Sequence, residues 1–374
     1  MSIAHYQLPG VNHRLLVPRE TVQNRTVRPP DSSVESGGQS TSKDSIKTGR
    51  SVDWGMTTTL GTASAGPGEI DTGRLEVGET RDGSPIGLPV AVINGAQSGK
   101  TLYVQAVSDG DELNGVGVIQ RVVPQLDPAE ISGTILIVGI VNYHAFQIAE
   151  HRNPIDDTKM NRAYPGNESG TSSERIAAAT FEAASRADLV LDLHQGSTSR
   201  MLNEVRVRCG KRHRLHQECL ELAKAFGCGY VLDQKGPDGQ LARAAPDEGV
   251  PTIDPELGGC VGWDKTSIRK GVEGVFNVLT HYDFLEGTVE LERQTRANGF
   301  DQYGSPNGGL VSFEKNLGDR VVRGDTLFEV TTPFGETKAP VTADNEGILW
   351  RTRRLPQVAT GEYVCSVGTD IDSY

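Results

Sequence analysis

The sequence predicts an α/β domain, a mixed sheet flanked by helices, followed by a small all-β module. Three observations carry that expectation. Between about residues 88 and 259, apolar runs of strand length alternate with segments whose apolar residues recur at helical spacing. Several of these runs end abruptly in acidic or histidine residues, as strands do when a site sits at their carboxyl ends. From about Gly304 the chain changes to short β-type runs separated by turns such as Gly318-Asp319, Gly324-Asp325 and Pro333-Phe334-Gly335.

At 374 residues the chain exceeds a usual single core, which suits one large domain plus a smaller one. Residues 1–65 read as a largely flexible tail, 66–300 as the main domain and 301–374 as the β module. The tail contains PPDSSVESGGQSTSKDS, rich in turn formers and hydroxyl residues, although Leu15, Leu16, Val17 and Trp54 offer it docking points.

Composition narrows the function. The net charge is −12, and residues 1–60 carry seven Lys/Arg against five Asp/Glu, so the acidity lies in the rest of the chain. That excludes a general nucleic-acid binder. No stretch approaches the roughly 18 apolar residues of a membrane span. The start, MSIAHYQLPG, lacks a charged segment followed by an apolar one, so no secretory signal is expected. The five cysteines are odd in number and form no CxxC, which suits a reducing, cytoplasmic setting.

Taken in order, Leu88 to Val92 is an apolar strand followed by NGAQSGKT. That segment has three residues between Gly95 and Gly99 where a phosphate loop needs four, and it runs into a strand, so it reads as a connecting turn. Leu102 to Val107 is a buried strand, and Ser108-Asp-Gly-Asp-Glu112 follows it. Asp109 and Glu112 can share one cation if the turn carries both inward; alone, such a turn also serves as a plain helix cap. A helix then runs to about Val123, with Val116, Val118, Ile119 and Val122 at helical spacing, and a strand spans Thr134 to Val141.

The next stretch, HAFQIAEHRNPIDDTKMNRAYPG, reads as long and irregular. Its Arg152, Asn161 and Arg162 suit an anion-binding loop, since arginine offers a planar fork to a carboxylate. Surface charges are the plainer reading. Ser172, Ser173 and Glu174 open a helix, and Leu189 to Leu193 is a strand ending in His194, with Asp192 placed to support it. His213 and His216 read as solvated, and His144, His151 and His281 have no partner visible in the sequence. Val205 to Cys209 is a strand, Gln217 to Phe226 a helix, and Pro251 onward a strand carrying Glu256 into a Gly-rich turn. Residues 266–284 form a last helix with Ile268, Val272, Val275, Val278 and Leu279 on one face.

The stretches GDELNG, NPIDDTKMNRAYPG, VLDLHQGS and TIDPELGG, in this order, resemble the succinylglutamate desuccinylase/aspartoacylase family. The resemblance covers roughly residues 66–368 and looks closest to the branch containing the N-acetyl-diaminobutyrate deacetylase. It implies a carboxypeptidase-like fold with a barrel-sandwich β module, and a zinc-dependent amidohydrolase acting on a small carboxylate. It makes Asp109, Glu112 and His194 the metal ligands and Glu256 the general acid/base. Asn161 and Arg162 become the clamp for the substrate's carboxylate, and Arg152 the oxyanion stabiliser.

One departure matters. The family's first motif normally begins with His, and Asp109 stands there in this chain. The resulting oxygen-rich set leaves Mn²⁺ or another divalent ion open beside Zn²⁺. It also leaves open a non-catalytic binding relative without metal, and the same core chemistry would permit a peptide-cleaving carboxypeptidase. The β module resembles a lipoyl-type carrier, but Lys338 lies beyond the expected tip at Thr332-Pro-Phe-Gly-Glu336, so a lid or a homo-oligomer contact is expected instead.

Overall fold

The computed structural model describes residues 56–260 and 262–373. Most of the expected tail, with Leu15, Leu16, Val17 and Trp54, lies outside the described residues. Residues 58–65 form a small hairpin, Thr58–Leu60 against Ala63–Ala65, whose Leu60, Ala63 and Ala65 are buried.

A mixed sheet runs through the molecule. At its centre four strands lie parallel, in the order Ser132–Val138, Gln97–Ala106, Leu189–Gly196 and Thr252–Gly259. Pro85–Asn94 and Glu69–Glu79 extend it antiparallel on one side, and Glu204–Val207 adds antiparallel to Thr252–Gly259 on the other. The central strands alternate between two cores, as period-two geometry requires when both faces are covered. Leu102, Val104 and Ala106 face one core, and Tyr103 the other; Leu189, Leu191 and Leu193 oppose Val190 in the same way. Helices Asn114–Val122, His216–Phe226 and Lys265–His281 cover the first face, through Val118, Leu220, Phe226, Ile268 and Val278. Ser172–Ala184 and Leu241–Asp247 cover the second, through Ile176, Ala177 and Leu241.

The Gly95 turn does lead into a strand, Gln97–Ala106. The helix expected from Ser172 is opened by Thr171, whose side chain and that of Glu174 form a reciprocal capping box. The segment expected to be irregular holds a short helix, Tyr143–Ile148, capped by the Asn142 side chain. A bridge between Asn153 and Thr158 and a tight turn at Met160–Arg162 complete it. Six helical residues leave too short an apolar period to read from sequence.

The chain after residue 290 joins the same sheet. Thr295–Gly304, which spans the expected boundary at residue 300, pairs parallel with Tyr230–Asp233 and antiparallel with Tyr363–Ser373. Gly347–Arg353 pairs with Tyr363–Ser373 and brings Arg351 toward the main domain. A separate four-stranded antiparallel sheet, Thr337–Thr342, Thr326–Thr331, Gly309–Phe313 and Gln357–Val358, closes over Phe328, Val330 and Val364. At its hairpin tip Phe334 is 98% exposed, while the Lys338 ammonium donates to the Gly308 carbonyl at 2.7 Å. Among the described residues no helix is long and apolar enough to cross a membrane, and no cysteine is in a disulfide.

Candidate metal and substrate site

The carboxyl ends of the parallel strands open into a cavity of about 610 Å³, the size of a small-molecule site. Gln97–Ala106 ends at Val107, whose φ of 61° is a strained value for a β-branched residue. That kink turns the chain so that Asp109 and Glu112 both point inward. Gly110 lets the turn pack, because a Cβ there would lie 2.3 Å from the Ala145 carbonyl carbon.

Asp109 and Glu112 are both almost fully buried. Between them and the next strand lies His194, whose Nδ1 is 2.9 Å from Glu112 Oε2 and 3.9 Å from Asp109 Oδ2. The same Glu112 oxygen accepts the Gln195 amide at 3.0 Å. Burial and the neighbouring Asp109 charge push the Glu112 carboxyl up to about 7. On the far side of the ring, Nε2 lies 3.1 Å from Asp192 Oδ2, as an ion pair without hydrogen-bond alignment, and 3.3 Å from Asn161 Nδ2. Asp192 is held in turn by Gln105 Nε2 at 2.9 Å and the Ser108 hydroxyl at 3.1 Å. Burial opposes a charged imidazole here, but Asp192, Asp254 and Glu112 outweigh it and raise His194 well above the usual range.

Two residues that sequence reasoning left without a role enter this cluster. His151 lies with Nδ1 3.1 Å from Asp111 Oδ1 and Nε2 3.6 Å from Asp109 Oδ1. The Lys159 ammonium is 3.3 Å from Asp109 Oδ2. His151 therefore has partners after all, and they are residues some 40 positions earlier that only the fold brings near. His213 and His216 are partly buried and have partners: His216 Nε2 lies 2.9 Å from the buried Asp233, and His213 Nε2 lies 3.2 Å from the exposed Asp247.

Glu256 sits opposite His194 in the register of adjacent parallel strands. Its Oε1 pairs with Arg206 Nη1, while Oε2 is buried without a hydrogen bond. Burial would raise this carboxyl, but the Arg206 guanidinium outweighs it and holds Glu256 below the usual glutamate range. Arg206 also binds Glu204 at 2.6 Å. The cavity wall continues with Arg162, Arg208, Lys235 and Arg351. Arg208 has only 9% of its side chain exposed, and its Nε makes no hydrogen bond but lies 3.7 Å from Asp254 Oδ2 as an ion pair. Burial lowers its guanidinium to about 10.

Of the seven residues proposed from sequence, Asp109, Glu112, Asn161, Arg162, His194 and Glu256 line this one cavity. Arg152 does not: it is exposed and donates to the Asp157 carbonyl at 2.8 Å. Phe300, Gln302 and Arg351 close the cavity from the C-terminal strands.

Asp109, Glu112 and His151 each offer a ligand atom within 4.8 Å of one another, and His194 Nδ1 lies beside Glu112 with its other nitrogen backed by the Asp192 carboxylate. That is the arrangement a divalent cation requires. Asp109 Oδ1, buried and without a hydrogen bond, is the orphaned acceptor such a cation would satisfy. The residues present therefore fit a metal.

Comparison with known proteins agrees with this geometry. The catalytic-domain model of the succinylglutamate desuccinylase/aspartoacylase family matches residues 98–282. The N-alpha-acetyl-L-2,4-diaminobutyric acid deacetylase of Halomonas elongata is 26% identical over 307 residues, 76% of this chain and 86% of that protein. A crystal structure of a succinylglutamate desuccinylase from Silicibacter sp. TM1040 has a TM-score of 0.73 at 26% identity, covering 81% of this chain and 95% of the other. The product-bound ectoine utilization protein EutE from Ruegeria pomeroyi has the same TM-score at 25% identity, with 80% and 95% covered. Residues 98–282 of this chain are thus a catalytic domain of the succinylglutamate desuccinylase/aspartoacylase type, on the fold shared by the solved structures named above.

Proposed function

We propose that the chain is a metal-dependent amidohydrolase that removes an acyl group from an N-acylated amino acid or a similar small carboxylate. The observation that carries this reading is one cavity holding two opposed elements: the buried Asp109–Glu112–His194 cluster, and Glu256 with a free, buried Oε2. The Halomonas relative, by its name, acts on an N-acetylated amino acid, which supports the same bond type here.

A divalent cation held by Asp109, Glu112 and His194, zinc or an oxygen-preferring ion such as Mn²⁺, supplies an acidified water and polarises the amide carbonyl. The chain's own residues do the rest. Asp192 orients the His194 ring. Glu256, kept ionised by Arg206, takes the water's proton at Oε2 and returns it to the departing amine. Arg162 and Asn161 receive the substrate's carboxylate, and Arg208 and Arg351 extend that cationic wall. Arg152 serves as oxyanion stabiliser only if it leaves the Asp157 carbonyl and swings inward.

A second reading rests on Lys159. Its ammonium at Asp109, together with an imidazolium between Glu112 and Asp192, balances the buried carboxylates without a metal. That arrangement suits a binding protein that keeps the pocket and not the chemistry. Elemental analysis of protein purified without added metal, beside an Asp109→Ala variant, separates the two. Near-stoichiometric zinc or manganese that falls in the variant, with hydrolysis of an N-acyl amino acid panel, supports the hydrolase. No metal after incubation with Zn²⁺ or Mn²⁺ leaves the binding protein.

A further inference from the structure

The two carboxylates of the metal cluster are flanked by imidazoles on both sides. His194 faces Asp109 Oδ2 and Glu112 Oε2, at 3.9 and 2.9 Å. His151 faces the other oxygens, with Nε2 3.6 Å from Asp109 Oδ1 and Nδ1 3.9 Å from Glu112 Oε1. Asp109, Glu112 and His151 each offer a ligand atom within 4.8 Å of the others. The oxygen nearest His151, Asp109 Oδ1, is buried and makes no hydrogen bond, although Asp109 is only 1% exposed. A buried carboxylate oxygen left bare costs on the order of 1–3 kcal/mol or more, so its persistence beside an imidazole nitrogen calls for a bound cation.

From this geometry we infer that His151 is a fourth protein ligand, which the loop after the Tyr143–Ile148 helix brings to the cation shared by Asp109, Glu112 and His194. The inference rests on the metal-dependent reading above and adds to it a ligand from a different element. The ring is held for the task. Asp111 Oδ1, itself in a turn anchored by the Ser197 hydroxyl, lies 3.1 Å from Nδ1 and leaves Nε2 turned toward Asp109. A nitrogen backed by a carboxylate while its partner nitrogen coordinates is the usual support of a metal-binding histidine. The resulting two-nitrogen, two-oxygen set is less purely hard than two carboxylates and one imidazole, and moves the preference toward Zn²⁺ or Co²⁺ over Mg²⁺. Lys159 approaches the opposite oxygen of Asp109 and does not block Nε2.

The test uses the full chain stripped with a chelator and titrated with Zn²⁺ alone or Co²⁺ alone, by calorimetry and by visible absorption of Co²⁺. Wild type, His151→Gly and His194→Ala are compared. The expected result is that wild type binds about one ion, and that His151→Gly weakens binding by about tenfold to a hundredfold. Its Co²⁺ absorption falls as water replaces the ligand, and added imidazole restores it, which a merely structural role for His151 would not produce. His194→Ala also loses affinity. If wild type binds and His151→Gly matches it in affinity and spectrum, His151 is no ligand and only this inference is overturned. If wild type binds neither ion, the metal-dependent reading falls as well.

Discussion

Across the cavity, Asp109, Glu112 and His194 stand at or just beyond the carboxyl ends of parallel strands. Arg206 and Arg351, by contrast, project from within strands hydrogen-bonded on both sides, and Arg208 follows one of them directly. The anionic side is built where strand ends leave backbone free to turn, and it places His194 2.9 Å from Glu112 and 3.9 Å from Asp109. The cationic side is built on rigid ladder, so its guanidiniums are fixed in the wall rather than gathered at a point. A point of negative charge suits a cation; a wall of positive charge suits the length of an anionic substrate. On the function proposed above, chemistry falls to one side and recognition to the other, and substitutions on the two sides should fail in different ways.

The largest expected effect is Glu256→Gln. It removes the proton carrier and leaves the metal cluster intact, so kcat should fall by about 10²–10⁴-fold while metal content stays at the wild-type level. The pH dependence sharpens this. Arg206 depresses the Glu256 carboxyl, so the base is already ionised below the ordinary glutamate range, and the acidic limb of kcat/KM lies below that range. The same depression makes the Glu256–Arg206 pair stabilising above that range and lost as pH falls through the folded value. Arg206→Lys keeps the charge and should keep the limb. An acidic limb near neutrality in wild type would show that another group carries the proton.

Arg208→Gln should break recognition without chemistry. Loss of one charge-assisted hydrogen bond to a carboxylate is worth roughly 1.5–3 kcal/mol, or about a tenfold to hundredfold rise in KM with kcat little changed. Because Arg208 is a counter-charge of the buried Asp254, its replacement should also lower the denaturation midpoint, so KM is compared on protein shown to be folded at the assay temperature. A fall in kcat with KM unchanged would place Arg208 on the chemical side instead. Asp192→Asn tests the opposite wall. It keeps the shape behind His194 but removes the carboxylate, and should weaken Zn²⁺ binding about tenfold to a hundredfold, read by competition with a chromophoric chelator.

The same contrast explains what could be read from sequence. Asp109 and His194 were legible because each follows an apolar run, where a polar residue breaks the pattern, whereas Glu112 and Glu256 took their roles from the four-motif resemblance. The parallel centre was legible from the apolar runs themselves, its strands being apolar on both faces. Arg206 and Arg208 were not, because Val205-Arg-Val-Arg208 has the alternation of a half-exposed strand whose arginines point to water. Only the covering strands Thr295–Gly304 and Gly347–Arg353 turn that outer face into an inner wall. His151 and Lys159 escaped notice because their partners are about 40 to 50 residues earlier, and nothing in their own segment marks the approach. Arg152, one residue from His151, was the more conspicuous side chain, and it points elsewhere.

That loop carries the smallest prediction, because its anchor lies outside the cavity. Asp156 accepts the Ser173 amide at 2.7 Å and the Ser173 hydroxyl at 2.9 Å, tying the loop to the first turn of the Ser172–Ala184 helix. Burial opposes ionisation there, but these bonds outweigh it and lower the Asp156 carboxyl. Asp156→Ala should therefore cost about 1 kcal/mol of stability at neutral pH, read from the shift in urea midpoint. Because the folded carboxyl is depressed, its contribution is present above the ordinary aspartate range and disappears as pH falls through the folded value. The gap between variant and wild type should thus close as pH falls below the ordinary aspartate range. If the anchor also fixes the loop that bears His151, the variant should lose some Zn²⁺ affinity beyond its loss of stability. Unchanged affinity would mean that the bridge between Asn153 and Thr158 holds that loop without help.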